Sequence, residues 1–249
     1  MFTRVKTETE IANMRTSGKM LATILGVMRE RAVAGISERE LAAIAAEELK
    51  KLGGKPPFLG YQGFPSVICI STNEKVVHGI PSDYVLRDGD IVSFDFGVDY
   101  KGMITDSAFT MAIGHVPNKV KKLISTTEHS MYTGIETLHD GVRVGDIGAA
   151  VESILEPAGY GIVRELVGHG VGHNLHEEPD IPNYGMAGTG PVLKAGMTIA
   201  IEPMANLGTQ HVAVDPDGWT IRTVDGALSA HFEHTILITE KGYEILTTL

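Results

Sequence analysis

The 249-residue sequence holds a single cysteine, Cys69, a single tryptophan, and aromatic residues at only 6%. One cysteine cannot close an internal disulfide, and no CxxC pair occurs, so a secreted disulfide scaffold and a Cys-rich zinc fold are both excluded. Basic residues are the minority, 21 Lys+Arg against 31 Asp+Glu, for a formal net charge of −10. Phosphate contacts need clustered cations and no such stripe stands out, so no specific nucleic-acid partner is expected. No apolar run approaches the roughly 18 residues of a membrane span. The opening MFTRVKTETEIANMR is charged throughout and lacks the apolar core of a secretion signal. The H-E-x-x-H string of a zinc helix is missing, and G-H-G-V-G lacks the spacing of a dinucleotide loop. What remains is a chain read as cytoplasmic, without a membrane partner, and long enough at 43% hydrophobic residues to bury a proper core.

Ile11, Met14, Leu21, Ile24, Leu25 and Met28 recur at the spacing of one helical face and predict a first helix over 8–32. Ser37 with Glu40 is a capping box, and it opens a second helix that carries Leu41, Ile44, Leu49 and Leu52 and ends at Gly53-Gly54. Segments 66–70, 91–94 and 105–113 read as buried strands. The second half repeats the first. Ala34-Gly35-Ile36 returns as Asp140-Gly141-Val142 after 106 residues, an offset that also pairs Met14 with Val120, Leu25 with Met131, Leu41 with Ile147 and Leu49 with Leu155. A copy of the first helix is thereby predicted over 118–139. Val85-Leu86-Arg87-Asp88-Gly89 returns as Val192-Leu193-Lys194-Ala195-Gly196 after 107 residues, and that register carries Asp95 onto Glu202. The expectation is one α+β domain over 1–249, with an internal repeat spanning roughly 8–113 and 118–238 and its acids meeting at the centre. An acid after a strand is also ordinary turn chemistry.

Asp95 and Asp106 flank 96–105, where Asp99-Tyr100-Lys101-Gly102 makes a turn. A hairpin centred between Tyr100 and Lys101 sets the two acids directly opposite each other, with Cβ atoms roughly 4.5–5.5 Å apart. In the apolar company of Ile91, Val92, Phe94, Phe96 and Ala108, such like charges raise one pKa sharply unless a cation lies between them. A pair of divalent ions is the natural resolution; two exposed turn acids is the other reading. The run Gly168-His169-Gly170-Val171-Gly172-His173-Asn174-Leu175-His176-Glu177-Glu178-Pro179 adds imidazoles among glycines that permit close approach. In His231-Phe232-Glu233-His234, strand alternation points His231 and Glu233 to one face. One neutral imidazole with the carboxylates Asp95, Asp106, Glu202 and Glu233 is a hard, oxygen-rich set suited to Mn, Fe(II), Co or Zn, and to hydrolysis.

In the contexts FDFG, ITDSA, GHGVGHNLHEEP, AIEPM and HFEHT, the series Asp95, Asp106, His169, Glu202, Glu233 resembles the five-ligand site of the type I methionine aminopeptidases. The likeness runs along essentially the whole chain, and Val76-Val77-His78-Gly79-Ile80-Pro81 matches that family's further catalytic histidine. The resemblance implies an α+β pita-bread (creatinase/aminopeptidase) fold: two pseudo-symmetric halves around a curved, mainly antiparallel sheet with helices outside. It implies two divalent ions, with Asp106 and Glu233 bridging, His169 and Glu202 completing one site and a bidentate Asp95 the other. Such ions acidify a water and stabilise charge on the attacked carbonyl oxygen. Glu202 would then shuttle the proton, His176 hold the oxyanion, and His78 contact the scissile nitrogen. Tyr61, Phe64, Cys69, Leu175 and Trp219 align with the pocket for the Met side chain, where sulfur meets aromatic edges; the same residues also read as core. Leu175 stands where many members have Phe, and Phe58 where some have Cys.

The activity so implied is removal of the initiator Met from nascent proteins when the next residue is small, by a monomer in transient contact with the ribosome. No zinc-finger or proline-rich docking extension is expected, and the second half lacks the long helical insertion of type II members. Two other readings share the fold. An X-Pro aminopeptidase or prolidase usually carries a large extra N-terminal domain, and a non-catalytic pita-bread binding protein would have lost its ligands, whereas all five, with His78 and His176, are present here.

Overall fold

The structure is a computed structural model that describes residues 2–248. Helix α1 (Glu8–Arg31) opens on a capping box in which Thr7 and Glu10 satisfy each other's backbone amides, and it buries Met14, Leu21, Ile24, Leu25 and Met28. Helix α2 (Glu38–Leu52) opens on the expected Ser37–Glu40 box and ends at Gly53, whose φ of 79° only glycine adopts freely. Strands β1 (Ile68–Thr72), β2 (Lys75–Val77), β3 (Ile91–Tyr100) and β4 (Met103–Ala112) complete the first half. Here β1, β3 and β4 form one antiparallel sheet. The second half begins with α3 (Asn118–Ile135) and α4 (Val144–Leu155). It continues through β5 (Gly161–Ile162), β6 (Gly168–Gly170), β7 (Glu177–Ile181), β8 (Thr198–Ile201) and β9 (Met204–Asn206). It closes with β10 (Val212–Val214), β11 (Ile221–Thr223), β12 (Ser229–His231), β13 (His234–Thr239) and β14 (Gly242–Ile245). Their sheets run β14-β13-β8-β6-β7, β10-β11-β2 and β12-β9-β5. Every strand ladder is antiparallel.

The strands expected over 66–70, 91–94 and 105–113 run instead over 68–72, 91–100 and 103–112, and two further departures have a clear physical reason. Helix α3 stops at Ile135 instead of running to 139, because its end tightens through Thr137 N–Gly134 O and Leu138 N–Ile135 O bonds, delivering Leu138 and Val142 to the core. The β3–β4 hairpin is centred later than expected. Lys101 and Gly102, at φ 53° and 79°, form its two-residue loop, with Tyr100 opposite Met103. Asp95 therefore faces Ala108 and Asp106 faces Gly97: the acids share a face but are diagonal neighbours, not directly opposed.

The same backbone hydrogen bonds recur in the two halves. Gly35 N–Leu86 O and Leu86 N–Ile36 O correspond to Gly141 N–Leu193 O and Leu193 N–Val142 O. Likewise Gly89 N–Ile113 O and Ile113 N–Asp90 O correspond to Gly196 N–Ile238 O and Ile238 N–Met197 O. Between the halves, Ala108 and Glu233 exchange backbone bonds, N–O 3.2 and 2.9 Å. On either side of this pair threonine hydroxyls replace the ladder. Thr235 Oγ1 accepts from Asp106 N and donates to Asp106 O, while Thr110 Oγ1 accepts from His231 N and donates to His231 O, all at 2.8 Å. This seam brings the acids of β4 to those beside β13.

The core lies between the sheets and the helices, with Phe94, Phe96, Leu21, Ile24 and Met28 among its fully buried side chains. Helix α1 packs so closely that a Cβ at Gly18 would overlap the Leu246 carbonyl, whereas one at Gly26 meets nothing within 4 Å. Gly→Ala normally stabilises a helix by about 1 kcal/mol. Gly26→Ala is expected to raise the melting temperature, and Gly18→Ala to lose about 1–3 kcal/mol through the backbone overlap. Thermal melts of the two variants check this, and equal shifts would refute the packing argument.

Candidate metal centre and active site

Five elements converge at one end of the seam. Asp95 comes from β3, Asp106 from β4, His169 from β6, Glu202 from the residue after β8, and Glu233 from the link between β12 and β13. Asp95, Asp106, His169 and Glu233 are buried, the last at 2% exposure. Ligand atoms of Asp106, His169 and Glu233 lie within 4.8 Å of one another, and His169 Nε2 is 3.4 Å from Glu202 Oε1. The other ring nitrogen, Nδ1, is 2.9 Å from Gly170 O. A carbonyl only accepts, so Nδ1 carries the hydrogen and Nε2 turns its lone pair to the acids.

Burial dominates the electrostatics. It raises Asp95 to about 7 and drives Asp106, Glu202 and Glu233 well above the ordinary carboxylate range, with mutual repulsion adding to the last three. Burial also lowers His169 to about 3, reinforced by His176. Asp95 Oδ1, Asp106 Oδ1 and Glu233 Oε1 are buried with no hydrogen-bond partner among the described residues. No Lys or Arg lines the cavity around them. Orphaned carboxylate oxygens converging with one imidazole lone pair fit divalent metal ions, the groups able to neutralise them.

These acids form one end of a cavity of about 210 Å³ that also holds every other residue singled out from the sequence. His78 and His176 line it too, and Tyr61, Phe64, Cys69, Leu175 and Trp219 form its apolar end. His176 Nδ1 is 2.9 Å from Tyr61 Oη, and its ring meets that of His169 edge-on at 4.4 Å. Phe64 and Trp219 pack edge-on at 5.2 Å. His78 holds φ at 58°, a costly left-handed conformation for a non-glycine residue, of the kind that clusters at functional sites. Desolvation lowers His78 to about 4 and the more exposed His176 from its usual value, so both imidazoles are neutral at pH 7. Burial, then the nearby Asp95, Asp106 and Glu233, push the Cys69 thiol up, so it stays an uncharged wall of the apolar end.

Phe58, noted from the sequence as a departure that bears on pocket shape, lines the cavity. Two further residues acquire a place here that the sequence did not assign. Gln62 lines the cavity at a left-handed φ of 47° in the Tyr61–Gly63 turn. His231 sits 3.7 Å from Glu202 Oε2, with both ring nitrogens buried and unpartnered among the described residues. The alternation in His231-Phe232-Glu233 was the available signal.

Residues 12–240 match the model of Metallopeptidase family M24. The chain belongs to this family. Within M24 it is 47% identical over 242 residues to Methionine aminopeptidase 1 of Bacillus subtilis, an alignment covering 97% of this chain and 98% of the relative. The crystal structure of methionine aminopeptidase from Thermotoga maritima superposes with a TM-score of 0.98 at 45% identity, covering 100% of both chains. Prolidase from Pyrococcus furiosus superposes at 0.81 and 25% identity, covering 98% of this chain and 65% of that one. The chain is thus an M24 metallopeptidase of the methionine aminopeptidase branch, with the pita-bread fold its motifs led one to expect.

The buried acids make this M24 centre a pH-dependent load on the metal-free protein. Carboxylates whose folded pKa is raised bind protons more readily folded than unfolded, so their cost is full above the folded value and is relieved toward the ordinary value near roughly 4. The melting-temperature gain from added Mn(II) is expected to be large at pH 8 and to shrink by pH 5, since Asp95 alone regains its proton through about 7. A gain independent of pH would contradict this account.

Proposed function

We propose that this chain is a metal-dependent aminopeptidase that removes the N-terminal methionine from nascent proteins whose second residue is small. The observation that carries the proposal is a single cavity lined by a metal-fitting acid cluster, by two neutral histidines, and by an apolar cluster bearing Cys69, Phe64 and Trp219. A thioether favours contact with aromatic edges, and an unbranched side chain suits such a slot. The whole chain acts as one catalytic domain, with halves over 8–113 and 118–238.

Asp95, Asp106, His169, Glu202 and Glu233 would hold two divalent ions of the Co, Mn, Fe(II) or Zn type. Bound there, these supply an acidified water and stabilise charge developing on the carbonyl oxygen. The protein's own residues do the rest. The acid end takes the substrate's free α-amine, and the apolar end takes one side chain only, so cleavage stops after the first residue. Glu202 lies between His169 at 3.4 Å and His231 at 3.7 Å, placed to accept a proton from water and return it to the leaving nitrogen. His176 has its Nδ1 engaged by Tyr61, which leaves Nε2 for the carbonyl oxygen; in that role Tyr61 donates to Nδ1 and Nε2 carries the hydrogen. His78, neutral and in the cavity wall, contacts the scissile nitrogen. The partner is the peptide N-terminus, and the net charge of −10 favours a brief encounter with the ribosome. A monomer in the cytoplasm completes the reading.

The test is hydrolysis of Met-Ala-Ser and Ala-Pro-Ser by metal-stripped protein titrated with Co(II), Mn(II), Fe(II) and Zn(II). Release of Met alone, saturating near two equivalents of metal, is expected. Cleavage of Ala-Pro-Ser would move the chain to proline-specific chemistry, and inertness with every metal would favour a binding protein. His176→Ala is expected to lower kcat by about 10²–10³-fold with metal content unchanged, as loss of an oxyanion donor does. A wild-type rate would remove His176 from catalysis.

A further inference from the structure

The loop over 171–176, which delivers Leu175 and His176 to the cavity, has little regular structure of its own. Its turn is pinned by Glu177, whose Oε1 accepts from the backbone amides of His173 and Asn174, each at 2.9 Å. The other oxygen of that carboxylate, Oε2, is 3.3 Å from Lys6 Nζ, and the pair is sealed from solvent, with side-chain exposures of 0% and 3%. Lys6 Nζ also donates to Thr3 Oγ1 at 2.5 Å. The segment carrying these residues is itself fixed, through Thr3 N–Glu178 O at 2.5 Å and Lys6 N–Gly196 O at 2.8 Å. A Cβ at Gly172 would meet Lys6 Cε at 2.6 Å, so the lysine stem lies directly against the loop. At the start of α1, Glu10 Oε1 holds His173 Nε2 at 2.7 Å.

A buried ion pair is a poor source of stability compared with apolar residues of the same volume, and its best-attested use is to fix one geometry. We infer that Lys6 and Glu177 are positioning residues for the reaction: the N-terminal segment from Thr3 to Glu10 straps the 171–176 loop and sets the place of His176 in the cavity. This rests on the proposed role of His176 at the substrate carbonyl. Neither residue is among the proposed metal or substrate ligands; Glu177 also acts electrostatically on His169, so the loop readouts and the dependence on His176 decide the role. Displacement of a reacting group by about 1 Å costs on the order of 10²-fold in rate, so a strap of this kind is visible in kcat.

The experiment is a set of double-mutant cycles on Mn(II)-loaded enzyme with Met-Ala-Ser, together with amide hydrogen exchange over 171–176. Lys6→Met is expected to lower kcat by about tenfold or more in the wild-type background and less than about twofold in His176→Ala, because residues acting through one group are not additive. Glu10→Gln, which removes the outer tie without stranding a buried charge, should show a smaller loss with the same dependence on His176. Glu177→Gln keeps an acceptor for the two loop amides and should retain more activity than Glu177→Ala. Exchange at His173 and Asn174 should quicken in Lys6→Met. Equal losses in both backgrounds, or unchanged exchange, would overturn the inference. Should the wild-type enzyme release no Met, the functional reading fails, and the exchange data alone decide whether the strap orders the loop.

Discussion

Burial of four carboxylates in one place is the constraint on which the rest of the structure depends. Their desolvation and repulsion oppose folding, and no protein cation faces them from the cavity. The seam holds them together nonetheless, because its backbone is fully engaged: the Ala108–Glu233 exchange is flanked by the hydroxyls of Thr110 and Thr235, which donate and accept in turn. Behind the seam, α1 and α3 bury Leu21, Ile24, Leu25, Leu123 and Met131. Apolar burial on this scale contributes about 1.5–3 kcal/mol per large side chain, enough to carry a local cluster that is unfavourable until cations bind.

The same low-polarity setting organises the cavity beyond the acids. It holds the imidazoles of His78, His169 and His176 neutral, so that His169 keeps a lone pair for the acid cluster while His176, its Nδ1 engaged by Tyr61, keeps an N–H to donate, and it holds the Cys69 thiol uncharged. A cavity acidic at one end and apolar at the other discriminates along its length. Only a substrate that presents a free amine and an apolar side chain from the same carbon satisfies both ends at once, and that describes an N-terminal residue.

Much of this was legible from local signals, and the rest failed for identifiable reasons. The capping box at Ser37 and the helical spacing from Ile11 to Met28 act within a few residues, so both helices lie where expected. The hairpin centre was misplaced because four residues look equally turn-like, and only the positive φ at Lys101 and Gly102 selects the loop. Hairpin spacing brought Asp95 near Asp106 and the repeat register brought Glu202 to the same centre, whereas the assignment of His169 and Glu233 to that site followed from the resemblance of their contexts to a family. Lys6 stood in the sequence only as one charge of an opening segment charged throughout. Its partner Glu177 is 171 positions away, and nothing in either neighbourhood marks a buried ion pair.

The recurring hydrogen bonds also explain why a nearly symmetric scaffold carries an asymmetric site. The bonds that equate Ile113 with Ile238 make Ala108 the counterpart of Glu233, and Asp106 the counterpart of His231. Ala108 and Glu233 face each other across the seam, where directly paired like charges repel most strongly. Alanine at one of the two positions removes a carboxylate from that contact and leaves room for Glu233. Histidine in place of the second aspartate puts a neutral ring, 3.7 Å from Glu202, where another anion would stand. Full symmetry would give six acids; the divergence leaves four. Four negative charges equal the positive charge of two divalent ions, so the departures from symmetry are those that bring the proposed centre to electrical balance in a region where a residual charge would be costly.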